Sequence, residues 1–129
     1  FWGAPVPLPD GEKRAVHCAL DLQKKLEALN ASWRADGKPE FSLSIGINSG
    51  EAVAGTIGSL RRMEYTVIGD TVNIAARIKA LSGSQGIPIL VGEKTRNNLG
   101  EKFSFSSGFN ASLKGKKSDV TVFAIESSR

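Results

Sequence analysis

The chain reads as an α+β sandwich, with helices packed on a largely antiparallel sheet, and three observations predict it. A long helical stripe occupies the first third of the sequence. After it, short runs of apolar and β-branched residues alternate with glycine-bearing turns. The order of elements, α-β-β-β-α-β-α-β-β, has no internal repeat and no linker that would split it, so both kinds of element share one core.

The elements follow in order. The opening FWGAPVPLPDG (residues 1–11) reads as the end of an apolar strand entering a turn, because Pro5, Pro7 and Pro9 exclude a helix. From Glu12, the residues Ala15, Ala19, Leu22, Leu26, Leu29 and Trp33 recur at steps of three and four, one stripe of a core-facing helix. Asp10 or Gly11 starts it and Asp36-Gly37 ends it. Residues 41–48 alternate apolar and polar as a half-buried strand does. Residues 51–57 and 63–68 read as two more strands, joined by a turn carrying Arg61 and Arg62. A helix is predicted over 71–81, capped by Asp70 or Thr71, with a loop over 82–86. A strand over 87–91, a short helix over 93–99, an irregular strand over 103–109, a turn over 113–119 and a strong strand over 120–125 complete the chain.

Composition narrows the function classes. The 129 residues suit one domain with a real core, and 40% hydrophobic content is that of a globular protein rather than a disordered one. No apolar run approaches the roughly 20 residues that span a bilayer. No signal-peptide pattern surrounds Phe1 either; a cytoplasmic setting without direct membrane contact is expected of the segment, with membrane anchoring of its parent left open. The lone Cys18 permits no internal disulfide. The net charge of +4 favours anionic partners, but the basic pairs Lys13-Arg14, Lys24-Lys25, Arg61-Arg62 and Lys116-Lys117 are scattered. No aromatic residues interleave with them as on a single-strand stacking platform. Nucleic acid is not an expected partner.

Most familiar chemical motifs are missing. There is no Walker sequence, no metal-spaced Cys/His cluster and no nucleophile elbow. His17, the only histidine, lies one position off the helical stripe and reads as structural or solvated. The glycine pairs Gly46/Gly50 and Gly55/Gly58 could bring backbone close to a phosphate, though such glycines more often serve tight hairpins. The informative stretch is 63–77. Asn73 and Arg77 stand four apart on the predicted helix and project together, while Ile74, Ile78 and Leu81 form a separate apolar stripe. Ala75 and Ala76 leave room beside them. An amide next to a guanidinium suits an anionic ligand with hydroxyls, since the guanidinium forks onto phosphate oxygens and keeps its charge. Spacing alone equally allows a merely solvated face.

The segment EYTVIGDTVNIAARI, with SIGINSGEAVAGTIGS before it, resembles the class III adenylate/guanylate cyclase catalytic domain. FWGAP at the start resembles the end of that family's central strand hairpin, and LKGK followed by VTVFAI resembles its C-terminal end. The resemblance runs over essentially all of residues 1–129. It implies a ferredoxin-like sandwich, the class III nucleotidyl cyclase fold without its N-terminal part. It also implies conversion of ATP to 3′,5′-cyclic AMP and pyrophosphate, by attack of the ribose 3′-hydroxyl on the α-phosphate. On this resemblance Asn73 is similar to the ribose-orienting asparagine, and Arg77 to the arginine that stabilises charge on the α-phosphate. Lys114 is similar to the lysine that grips the β- and γ-phosphates. Thr66 stands where the family carries its purine-selecting residue, and threonine there favours ATP over GTP; the backbone of Val67 lies beside the purine edge.

The resemblance further implies two Mg²⁺ or Mn²⁺ ions held by two aspartates that lie upstream of FWGAP in the family, as does the purine-selecting lysine. No metal ligand is therefore assigned in this chain. Asp10, Asp21 and Asp36 sit in a turn, a helix and a loop, the wrong settings to replace the missing pair. Residues 1–129 are read as the rear portion of a catalytic domain, inactive alone. A head-to-tail homodimer with active sites at the interface is implied, with the turn 58–63 as a projecting arm. The competing readings are a non-catalytic cyclase-homology module for dimerisation or nucleotide sensing, a guanylate cyclase, and a basic ferredoxin-like nucleic-acid binder.

Overall fold

The computed structural model describes residues 1–112 and 119–128. In chain order its elements are α1 (Gly11–Ala35), β1 (Ile45–Ile47), β2 (Val53–Ser59), β3 (Arg62–Ile68), α2 (Asp70–Gln85), β4 (Ile89–Gly92), α3 (Glu93–Leu99), β5 (Phe103–Phe105), β6 (Phe109–Ala111) and β7 (Val120–Ser128). A 3₁₀ turn, Gly100–Lys102, links α3 to β5. The main sheet runs β1-β4-β7-β5, with β6 also on β7. Its β1–β4 pair is parallel and its other pairs are antiparallel. The strands β2 and β3 form a separate antiparallel hairpin. The α+β expectation with a mainly antiparallel sheet holds.

Helices cover both faces of the main sheet. The alternation of a strand sends Gly46 and its register partner Leu90 toward α2, and Ile47 with Val91 to the other face. On the α2 face, Ile78, Leu90, Ala111 and Val122 form a buried cluster, supported by Ile74 and Leu81. On the opposite face, Val16 of α1, Leu99 of α3 and Phe103 make a second cluster with Ile47 and Ile125. Burying each large aliphatic or aromatic side chain contributes about 1.5–3 kcal/mol, so the first cluster fixes how α2 lies on the sheet and the second holds α1 and α3.

Several elements differ from the sequence expectation. The apolar stripe of α1 is buried only at Ala15, Val16 and Ala19; Leu22 and Leu29 are exposed. A helix of 25 residues is about 37 Å long, and it outreaches the short sheet beneath it. The strand expected over 41–48 shrinks to Ile45–Ile47. Before it, both main-chain groups of Phe41 are taken by one side chain: Asn30 Nδ2 donates to the Phe41 carbonyl at 2.7 Å and Phe41 N–H donates to Asn30 Oδ1 at 2.9 Å. An amide on α1 replaces a neighbouring strand. No strand forms over the first residues, where an apolar strand end was expected. The loop expected over 82–86 is helical to Gln85, because the helix stops only where Gly86 turns left-handed. Ser82 Oγ donates to the carbonyls of Ile87 and Pro88, so it anchors the next segment without breaking the helix. The irregular strand over 103–109 resolves into β5 and β6, which pair with different stretches of β7. No helix among the described residues is long and apolar enough to cross a membrane.

Candidate functional site

The helix α2 carries the predicted pair. It starts after Gly69, whose φ of +140° favours glycine and which offers no side-chain cap. The first intrahelical bond runs from Asn73 N–H to the Gly69 carbonyl at 3.1 Å. Asn73 is exposed and Arg77 half-buried, one turn apart, on the side of the helix next to the Ile74–Ile78 stripe. Among the described residues no carboxylate pairs with Arg77. A half-buried guanidinium without an acidic partner retains its charge and its five donors for an anion.

The hairpin arrives from the other side. Its register pairs Gly55 with Thr66 and Ala54 with Val67, so alternation puts the two predicted substrate contacts on opposite faces. Thr66, half-buried, shares its face with Val53, Ile57 and Ile68, which are exposed at 66%, 44% and 51%. Val67 and Ala54 instead line a cavity of about 460 Å³. Any role of Val67 toward a ligand on the Thr66 face therefore falls to its backbone. Lys114 lies outside the described residues. The arm expected over 58–63 is the hairpin tip, where Leu60 is fully exposed.

That cavity is not the place where Asn73 and Arg77 meet. It is lined by Phe1, Trp2, Glu12 and Asn48 among others, and α2 turns Thr71, Val72 and Ala75 toward it. These positions are roughly opposite Asn73 and Arg77 on the helical wheel. The cavity lies beside β1, whose second edge carries no strand among the described residues. Two of its lining residues, Glu12 and Ser49, are hydrogen-bonded to α3. Asn98 Nδ2 donates to Glu12 at 2.9 Å, and Ser49 Oγ and Thr95 Oγ1 share a hydrogen bond of 2.7 Å. The hydrogen bond from Asn98 holds the Glu12 carboxyl below the ordinary carboxylate range, with burial opposing it.

Two residues escaped the sequence reading and a third was read for another role. Gly46, considered there as a phosphate approach, is filled by protein: a Cβ on it would stand 2.3 Å from Lys79 N and 2.6 Å from the Ala75 carbonyl oxygen. Asn48 Nδ2 donates to the Thr71 carbonyl at 3.1 Å. Gly92 admits the Asn48 amide, since its Cβ would lie 2.6 Å from Asn48 Oδ1. The signal was a glycine and an asparagine two apart on a strand, indistinguishable in sequence from turn residues.

Divalent metals find no ready seat. No group of three or more His, Cys, Asp or Glu comes together among the described residues. Asp10 is engaged with Arg14 at 2.9 Å, and that hydrogen bond lowers its pKa.

Comparison with known proteins places this arrangement. The family model described as adenylate and guanylate cyclase catalytic domain matches residues 3–127. The chain is similar to Adenylate cyclase 1 of Rhizobium meliloti (strain 1021), 33% identical over 125 residues, covering 97% of this chain and 19% of that protein. The crystal structure of the adenylyl cyclase CyaB from P. aeruginosa superposes with a TM-score of 0.87 at 25% identity, over 98% of this chain and 65% of that one. The guanylyl cyclase Cya2 superposes with a TM-score of 0.83 at 27% identity, over 98% and 64%. The chain thus spans about a fifth of the Rhizobium protein and slightly under two thirds of the solved chains.

Proposed function

The chain belongs to the adenylate and guanylate cyclase catalytic domain family, and we propose that it forms the substrate-holding part of an adenylate cyclase. The observation that carries this reading is Arg77: a half-buried guanidinium without a carboxylate partner among the described residues, one turn from Asn73. Adenylate cyclases among the relatives favour ATP over GTP as substrate, and Thr66 agrees with that choice.

In the proposed reaction the ribose 3′-hydroxyl gives up its proton to water and its oxygen bonds to the α-phosphorus as the bond to the pyrophosphate oxygen breaks, giving 3′,5′-cyclic AMP and pyrophosphate. Little covalent chemistry is asked of the protein; the barrier falls through positioning and through compensation of developing charge. Asn73 can accept from and donate to a ribose, which fixes the hydroxyl in line with phosphorus. Arg77 meets the negative charge that grows on the α-phosphate oxygens, and a guanidinium keeps its positive charge throughout. Lys114 is assigned to the β- and γ-phosphates. Domains of this family use divalent metals; the described residues of this chain do not assemble a ligand set, so no step here is routed through them.

The exposed apolar face of the hairpin supports a homodimer. Val53 and Ile68 are register partners, and with Ile57 and its exposed partner Glu64 they surround Thr66. A second protomer covering that face would complete the site and dry it.

The test is product formation by the natural protein that contains these residues, supplied with ATP and Mg²⁺ or Mn²⁺. Cyclic AMP is expected, and Arg77→Ala should lower kcat by about 10²–10³, the usual cost of removing one such stabilising donor. Full activity in that variant, or nucleotide binding without product, overturns the reading. Cyclic GMP as the main product would make the protein a guanylate cyclase.

A further inference from the structure

The start of α2 has no cap of its own. Gly69 brings no side chain to the N-cap, and no side-chain cap hydrogen bond is made there. One tie on the first turn comes from the end of β1, where Asn48 Nδ2 donates to the Thr71 carbonyl. The Asn48 amide is confined on its other side. A Cβ on Gly92 would lie 2.6 Å from Asn48 Oδ1 and 3.6 Å from Ile78 Cδ1, so the amide occupies a slot between β4 and α2 that only glycine leaves open. The next residue, Ser49, is bonded to Thr95 of α3, which holds the turn itself in place.

We propose that Asn48 is a positioning residue for the Asn73/Arg77 pair, hooking the first turn of α2 to the end of β1 through the Thr71 carbonyl. Thr71 precedes Asn73 by two residues and Arg77 by six, so a shift of this turn carries both side chains with it. Asn48 touches neither substrate nor reacting atoms on this account. It acts by limiting how far α2 slides along the sheet. The inference rests on the cyclase reading for its catalytic consequence, and on geometry alone for its mechanical one.

Two variants of the full-length protein test it. Asn48→Ala removes the donor; Gly92→Ala keeps the donor and crowds the amide out of its slot. Amide hydrogen exchange of residues 74–78 should quicken roughly three- to tenfold in both, the effect of losing one hydrogen bond of ordinary strength, while residues 15–25 of α1 exchange as before. With ATP, kcat should fall by a similar factor or more, and KM should move less than threefold. Combined with Arg77→Ala, Asn48→Ala should cost less than it does alone, because only the part of its effect that runs through Asn73 remains. Unchanged exchange in residues 74–78 overturns the hook. Faster exchange with unchanged kcat, or with multiplicative losses in the double variant, overturns the positioning role. If the wild-type protein makes no cyclic nucleotide, the enzymatic reading fails by itself, and the exchange data still decide whether Asn48 holds α2.

Discussion

Gly46 of β1 and Ala75 of α2 meet backbone to backbone: a Cβ on Gly46 would lie 2.6 Å from the Ala75 carbonyl oxygen. Neither partner is the movable end of a side chain, so nothing nearby can yield cheaply. Gly46→Ala is expected to push α2 off the sheet and cost about 1–3 kcal/mol, the range for overpacking a filled site. Equilibrium denaturation measures this. A variant as stable as the parent would mean the contact is looser than the structure shows.

Thr66 gives a prediction about choice of base. Its register partner is Gly55, so no side chain crosses the hairpin to occupy its hydroxyl. Thr66→Val keeps the shape and removes the hydrogen-bonding group. If that hydroxyl reads the purine, the ratio of kcat/KM for ATP over GTP should fall about tenfold, the loss of one hydrogen bond worth somewhat over 1 kcal/mol. An unchanged ratio assigns selection to another residue.

Glu12 makes stability depend on pH in one direction. The hydrogen bond from Asn98 lowers its pKa in the folded state, so the folded protein takes up this proton less readily than the unfolded chain. The stabilisation is complete above the ordinary carboxylate pKa and is lost as pH falls through the lowered folded value. Glu12→Gln still accepts from Asn98 but does not titrate. The stability gap between parent and variant should therefore shrink between neutral pH and roughly pH 3. A constant gap would show that the carboxylate does no electrostatic work there.

The hairpin face predicts an assembly effect. Ile68 is 51% exposed beside its partner Val53 at 66%, so a charge at 68 disturbs little inside one protomer. Ile68→Glu is expected to raise the dimer dissociation constant at least tenfold, leaving the melting temperature of the dissociated protomer within a degree or two. Analytical ultracentrifugation reads the first and calorimetry the second. Unaltered association would move the interface elsewhere.

The contrast between what was legible and what was not follows physical lines. The pattern Ile74, Ile78, Leu81 announced α2 and its buried face, because periodicity is local and strong. Asn73 and Arg77 followed from the same helix. The exposure of Leu22 and Leu29 did not, since a stripe reports which side of a helix is apolar and not how far the sheet extends beneath it. Residues 41–44 alternated as a strand does, yet Asn30, eleven residues away from Phe41, took the hydrogen bonds a neighbouring strand would have made. Asn48 and Gly92 were invisible for the same reason, and Gly46 was read as a phosphate approach or hairpin glycine and not as the seat of α2. Each matters through what approaches it in space, and the distance from Asn48 to Thr71 along the chain is 23 residues.

The place of β7 in the sheet bears on how the protein is made. It is the strand to which β4, β5 and β6 all bond, and in sequence it comes after them. A nascent chain can form the local β2–β3 hairpin and begin α2 early, but until Val120–Ser128 emerges β1 on β4 is the only pairing the main sheet has among the described residues. Synthesis at about 5–20 residues per second leaves the apolar face of β4 waiting for several seconds. Over that interval Leu90 and Val91, fully buried in the finished protein, depend for cover on α1, α2, α3 and whatever chaperone is at hand.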